Sequence, residues 1–209
     1  MTRILPGVIA MAAIVVASNI LVQFLLLDGL LTWGAFTYPF AFLVTDVMNR
    51  VYGVQSARKV VFVGFVVGII CSLIGTQIMG EFGPLVPLRI AVGSAIAFLT
   101  AQLLDVAVFN RLRDGVWWRA PLASTLIGSS IDTALFFTIA FSASVTVFGA
   151  NADGAIGWAW DAVPFLNVGP EAPLWVTLAV ADWLVKLTIA LIALIPFRMI
   201  VTKISPHSA

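Results

Sequence analysis

Five ionisable side chains interrupt long apolar runs in this sequence: Asp46, Asp105, Asp132, Asp182 and Lys186. Helical spacing assigns each one a face. Asp46 has Asn49 three residues on and Phe42 four before it, so the three share a stripe, and Gln102 precedes Asp105 by three. Thr125, Ser129 and Asp132 follow at i, i+4 and i+7, with Phe136 one turn further, while Asp182 and Lys186 stand four apart and can pair directly. Carboxylates and amides exchange hydrogen bonds with a donor-rich neutral ligand, and aromatic faces stack on a flat ring, so these residues could line a polar binding cavity. Each ionisable group near a bilayer centre costs at least ~2.5–3.5 kcal/mol on insertion scales, an expense that a site in a protein interior explains. The competing reading is that Asp182–Lys186 and similar pairs lock helices together. For that pair alone the two readings stand level; acids on four separate spans point to a substrate or ion pathway.

The elements that must position these groups are transmembrane helices. Of 209 residues, 61% are hydrophobic and 10% charged, with a mean hydropathy of +1.09. A soluble domain carries about 45–50% apolar and about 25% charged residues. A net charge of +1 offers no basic surface for nucleic acid. Cys71, the only cysteine, lies in an apolar run, excludes an intramolecular disulfide or thiolate metal site, and reads as a small buried hydrophobe. His207, the only histidine, follows Pro206 near the C-terminus, which argues against a Ser–His hydrolase or a histidine metal centre. No Gly-x-Gly-Asp or Gly-x-Ser-x-Gly motif supports an intramembrane enzyme. No catalytic residue, metal site or cofactor is expected.

A bilayer core of about 30 Å needs ~20 apolar helical residues. That ruler predicts an all-α integral membrane protein, a single domain over 1–209, with six spans near Ile4–Leu27, Leu31–Val51, Ala57–Met79, Val86–Phe109, Pro121–Phe148 and Leu174–Ile200. The run after Arg3 is too long for a signal peptide. Arg3, Arg50, Arg58, Lys59, Arg111, Arg113, Arg119, Arg198 and Lys203 all fall on one side of such a bundle, which places both termini in the cytoplasm. Asp28, Glu81, Asp153, Asp161 and Glu171 fall on the other, with Arg89 the lone cation there, read as interfacial. Trp33, Trp158, Trp160 and Trp175 near the outer interface, and Trp117 with Trp118 near the inner one, fit aromatic belts; Trp183 lies well inside span 6. Pro39 disfavours helical backbone at Tyr38, so span 2 is expected to be kinked or broken at Tyr38-Pro39. Asp132 and Lys186 fall near the midplane, Asp46 and Asp105 a turn or two toward the cytoplasm.

The segment Thr37-Tyr38-Pro39-Phe40-Ala41-Phe42-Leu43-Val44-Thr45-Asp46-Val47-Met48-Asn49-Arg50-Val51-Tyr52-Gly53 closely resembles the signature of the queuosine precursor transporter family, also called the vitamin uptake transporter family. Ala101-Gln102-x-x-Asp105 with Phe109-Asn110, Ser124-Thr125-x-x-Gly128-x-x-Ile131-Asp132-x-x-x-Phe136-Phe137, and Lys186 with Pro196 resemble its later spans, in order, across roughly Trp33 to Phe197. The resemblance implies a six-helix importer of the bacterial cell inner membrane, carrying 7-cyano- and 7-aminomethyl-7-deazaguanine for tRNA queuosine modification. It implies Asp46, Asn49, Gln102, Asp105, Asp132 and Lys186 as the site. Phe42, Phe136, Tyr38 or Trp183 would stack on the base, and Ser129 belongs to the same stripe as Asp132. Asp132 or Asp46 would read the base, with Lys186, Asn49 or Gln102 donating to O6. The alternative is a substrate-binding subunit of an energy-coupled vitamin-type transporter; a proton- or ion-conducting protein using the same acids is a third reading. The expected partners are a nucleobase-like small molecule, membrane lipid and a second copy in a homodimer, and no nucleic acid. The long loop from Gly149 to Pro173 departs from the family pattern.

Overall fold

The computed structural model describes residues 2–80, 83–149 and 154–204, without the side chains of Thr2 and Asp28. Glu81, Asp153, Pro206 and His207, singled out above, lie outside the described residues. The chain is an all-α multi-pass bundle: α1 (Leu5–Leu21), α2 (Gly34–Thr37), α3 (Phe40–Tyr52), α4 (Val54–Gln77), α5 (Leu88–Leu112), α6 (Arg119–Phe141) and α7 (Leu174–Ile204). Helices α4 to α7 are each long and apolar enough to cross a membrane. Their apolar side chains point outward as well as inward: Phe62 is 60% exposed and Met199 66%, a surface suited to lipid rather than water.

Several predicted boundaries shift, each for a local reason. α1 stops at Leu21 instead of reaching Leu27, because the chain turns through Leu27, at φ +52°, and Gly29, at φ +91°, into a hairpin pairing β1 (Leu25–Leu26) with β2 (Leu31–Thr32). α6 ends at Phe141, seven residues before the predicted limit. Span 2 divides into α2 and α3, yet Tyr38 (φ −56°, ψ −40°) and Pro39 (φ −60°, ψ −21°) keep helical backbone, against the extended geometry expected before a proline. Only the hydrogen-bond ladder changes there: Ala41 N–H donates to Tyr38 and Phe42 N–H to Pro39, three residues back rather than four.

Two-stranded hairpins occupy every second connection: β1–β2, then β3 (Met79–Gly80) with β4 (Gly83–Pro84), then β5 (Ala162–Pro164) with β6 (Glu171–Pro173). Basic residues cluster at the alternate connections. There Arg50 Nη1 donates to the Arg113 carbonyl at 2.6 Å and Arg113 Nη2 to the Arg50 carbonyl at 3.4 Å, tying the ends of α3 and α5.

α5 and α6 pack most closely, antiparallel, across small residues. A Cβ on Gly93 would lie 3.3 Å from the Ala140 nitrogen, and one on Gly128 would lie 3.3 Å from the Ala101 carbonyl and 2.8 Å from Phe42. Close backbone approach of this kind holds helices together where lipid supplies no hydrophobic drive. Cys71 is half-buried on α4, not enclosed as expected, because only one side of that helix faces protein.

Arg89, at the start of α5, is fully buried within the protein. Its Nε donates to the Ile139 carbonyl at 2.9 Å, Nη2 donates to the Ser142 carbonyl, and the guanidinium lies 5.6 Å from the Phe148 ring centroid. Trp160 Nε1 takes the Phe141 carbonyl at 2.7 Å. These side chains bond carbonyls at and just past the end of α6, where the helical ladder runs out, and a cation there also meets the negative end of the helix dipole. The segment carrying Trp160 covers this end of the bundle, with Ile156 and Ala159 fully buried and Trp158 edge-on to Phe141 at 5.7 Å. Replacing Arg89 with Met is therefore expected to cost about 3 kcal/mol, since hydrogen bonds to charged groups contribute roughly 1.5–3 kcal/mol each. Thermal unfolding in detergent, followed by tryptophan fluorescence, checks this; Arg89→Lys should recover little, lacking the planar fork.

Candidate functional site

Lys186 anchors one polar cluster. Placed one turn after Asp182 on α7, its Nζ lies 2.6 Å from Asp182 Oδ2 and 2.7 Å from Asp132 Oδ2 on α6. It also donates to Thr133 Oγ1 at 2.9 Å, so the three ammonium protons have three acceptors. Thr133 in turn donates to Asp182 Oδ2 at 3.0 Å. Tyr38, at the α2–α3 junction, donates its hydroxyl to Asp132 Oδ1 at 2.9 Å, and Lys186 Nζ sits 5.4 Å from the Tyr38 ring centroid. Lys186 thus binds both acids at once.

A second cluster lies where α3, α5 and α6 meet. Ser124 and Thr125 donate to the two oxygens of Asp46 at 3.0 and 3.1 Å. Asn49 Nδ2 donates to the Val106 carbonyl at 3.0 Å. Thr45 Oγ1 lies 3.0 Å from the Ala41 carbonyl and 2.6 Å from Gln102 Oε1. One hydroxyl proton cannot serve both, so the amide satisfies the pair when Nε2 faces Thr45 and Oε1 points away. Asp105, fully buried against Gly128, has no hydrogen-bond partner on either carboxylate oxygen, and neither does Asn49 Oδ1 or the second atom of the Gln102 amide. The ion pairs of the described residues join Lys186 to Asp132 and Asp182 and include neither Asp46 nor Asp105.

The predicted binding cavity is packed shut. A cleft between α3, α6 and α7, lined by Pro39, Leu43, Asp46, Thr125, Ala190 and Phe197 among others, encloses about 10 Å³, room for about one water. Phe42 is fully buried and edge-on to Tyr38 at 6.3 Å. Three predicted contacts do not join the acids. Trp183 is 36% exposed, its Nε1 bonding Ser130 Oγ at 2.9 Å on the bundle's periphery. The Phe136 ring packs against Phe137 and Phe141, at 5.1 and 5.9 Å, in an aromatic cluster at the hairpin end. Ser129 is buried but bonds back to the Leu126 carbonyl at 3.3 Å. Conversely, Thr133, Ser124 and Thr45 were given no role above. Each is a hydroxyl adjacent in sequence to a residue that was, and adjacency does not reveal which face a hydroxyl turns to.

A helical bundle with an apolar exterior and a buried charged interior is the architecture of a multi-pass membrane protein with a polar core. The chain belongs to the vitamin uptake transporter family, whose queuosine precursor transporters it resembled in sequence: the family described as "Putative vitamin uptake transporter" matches residues 32–201. It is 36% identical over 184 residues to a "Probable queuosine precursor transporter" of Haemophilus influenzae, covering 83% of this chain and 69% of that one. It is 41% identical over 151 residues to the "Queuosine precursor transporter" of Escherichia coli, covering 66% and 68%. A "Probable queuosine precursor transporter" of Bacillus subtilis is 28% identical over 196 residues, covering 84% and 73%. These relatives are transporters, not enzymes. No solved structure matches.

Removing Lys186 strands two buried carboxylates. Lys186→Met should destabilise the protein by roughly 3–5 kcal/mol, as breaking a buried ion pair does. Adding Asp182→Asn should recover part of that loss, which a double-mutant cycle on thermal unfolding measures.

Proposed function

We propose that this chain imports queuosine precursors, 7-cyano- and 7-aminomethyl-7-deazaguanine, across the bacterial inner membrane to supply tRNA modification. The observation that carries the reading is the donor flanked by acceptors inside a bundle of this family: Lys186 between Asp132 and Asp182. A deazaguanine edge presents a carbonyl oxygen beside an N1–H and an exocyclic amine. One cationic donor and two carboxylates complement that edge, at about 1.5–3 kcal/mol for each charged hydrogen bond. Tyr38 and Phe42 are the aromatic walls nearest the cluster, and Asn49, Gln102, Asp105 and Asp46 line the adjoining polar interior.

The proposed topology is six spans with both termini in the cytoplasm. α1 contributes 17 mostly apolar residues, about 25 Å of helix, and Gly34–Tyr52 supplies the second span through its altered ladder. The basic connections then face the cytoplasm and the hairpins face outward. Since the interior is closed, binding requires opening. Tyr38 is the natural joint, because it sits where the span-2 ladder changes and it holds Asp132. Alternating access then bends span 2 at Tyr38-Pro39 as the Lys186 cluster exchanges its internal bonds for substrate.

The test is rescue of bacteria unable to make or import queuosine precursors, supplied with low external deazaguanine. Wild type should restore queuosine in tRNA. Asp132→Asn and Lys186→Ala, at matched membrane levels, should lower the rate roughly tenfold to a hundredfold, the equivalent of one charged hydrogen bond. Wild type that is well expressed yet restores nothing, but binds ligand when purified, would replace this reading with that of a binding subunit lacking its energising partner.

A further inference from the structure

The two polar clusters differ in kind. The Lys186 cluster contains a donor and is internally satisfied, whereas the Asp46–Asp105 cluster is an excess of acceptors. Asp105, Asn49 and Gln102 are all 0% exposed and Asp46 is 2% exposed. The Thr45–Gln102 and Asn49–Val106 contacts set the register of α3 beside α5, and that register brings the two carboxylates near enough to repel each other. Asp46 receives two hydroxyl protons, while Asp105 and Asn49 Oδ1 receive none. With the Gln102 amide turned to satisfy Thr45, its free atom is one more acceptor.

Among the described residues, no neighbouring element places a cation in ion-pair contact with either carboxylate. On α6 the facing groups are the neutral Ser124 and Thr125. On α4 the buried face is Ala57, Val60, Val61 and Gly64. On α7 the cleft wall is Ala190, Ala193, Leu194 and Phe197, and Lys186 is engaged with Asp132 and Asp182 in the cluster that also holds Tyr38. Arg50, one turn beyond Asp46, acts on that carboxylate through space but forms no ion pair with it: Nη1 goes to the Arg113 carbonyl, the guanidinium lies over Phe109 at 5.3 Å, and Nη2 has no hydrogen-bond partner. Two buried carboxylates with no counter-ion in contact do not both remain ionised.

We propose that Asp105, paired with Asp46, holds a proton that travels with the imported substrate, so that this protein is a proton-coupled importer. The proton on Asp105 turns one orphan acceptor into a donor toward Asp46. The cleft lined by Asp46 and Thr125 runs along α7 toward Phe197 and the basic end, giving the proton its cytoplasmic exit. In one cycle a proton enters on Asp105 from outside with the substrate and leaves inward through Asp46; no bond other than the O–H is made or broken.

The inference extends the importer reading, and its first test needs no substrate. Infrared spectra of the purified full chain at neutral pH should contain a protonated-carboxyl stretch that disappears in Asp105→Asn and persists in Asp182→Asn. Absence of that band from wild type, or its persistence in both Asp105→Asn and Asp46→Asn, overturns the proton site whether or not deazaguanine is carried. In proteoliposomes, an inside-alkaline gradient should raise 7-aminomethyl-7-deazaguanine accumulation at least tenfold over equal pH, and the residual uptake of Asp105→Asn should ignore the gradient. Accumulation that follows a sodium gradient, or wild-type uptake indifferent to pH, refutes the coupling. Failure of wild type to move deazaguanine at all overturns the importer reading instead, leaving the infrared result to decide the site.

Discussion

One ammonium group inside a hydrocarbon slab constrains much of this molecule. Lys186 can stay charged and buried only while Asp132 and Asp182 surround it, and that requirement fixes the rotation of α7 against α6. Tyr38 extends the same bonding to the junction of α2 and α3, a point where a span loses its regular ladder. A buried ion pair adds little net stability compared with apolar packing. Its value here is specificity: Tyr38, Asp132, Thr133, Asp182 and Lys186 satisfy one another in a single helix register, and a slip of one residue on α6 or α7 would leave charges without partners.

Around that fixed point the bundle is assembled from residues that allow close approach. Gly128 lets Phe42, the Ala101 carbonyl and Asp105 share one small volume, and Gly93 brings α5 onto α6 near Ala140. Three apolar clusters then divide the work: Met11, Val60 and Phe98 among α1, α4 and α5; Phe137, Phe141 and Ile156 at the hairpin end; Phe109, Phe197 and Val201 at the basic end. The polar clusters lie between them, so the acids on α3, α5 and α6 are enclosed by protein, while Asp182 on α7 is partly exposed.

The class and the four long spans were legible because composition and run length report burial in lipid directly. The i,i+4 pair of Asp182 and Lys186 was legible for the same local reason. What escaped was anything set by a partner distant in sequence. Arg89 reads as a cation near the outer end of its span, but the carbonyls it bonds at the end of α6 lie some fifty residues on and are not visible from its position. Trp183 lies deep within its span by counting, but depth says nothing about azimuth, and it turns to the periphery. Phe136 continues the Asp132 stripe by periodicity and is captured instead by Phe137 and Phe141. Tyr38 kept helical backbone before a proline because neighbouring contacts outweigh a local steric preference.

The tight interior has an electrical consequence. A cleft with room for about one water cannot support a continuous file of solvent from face to face. Ions therefore find no water-filled path through that cleft, and in this closed form it adds no leak to an energised membrane.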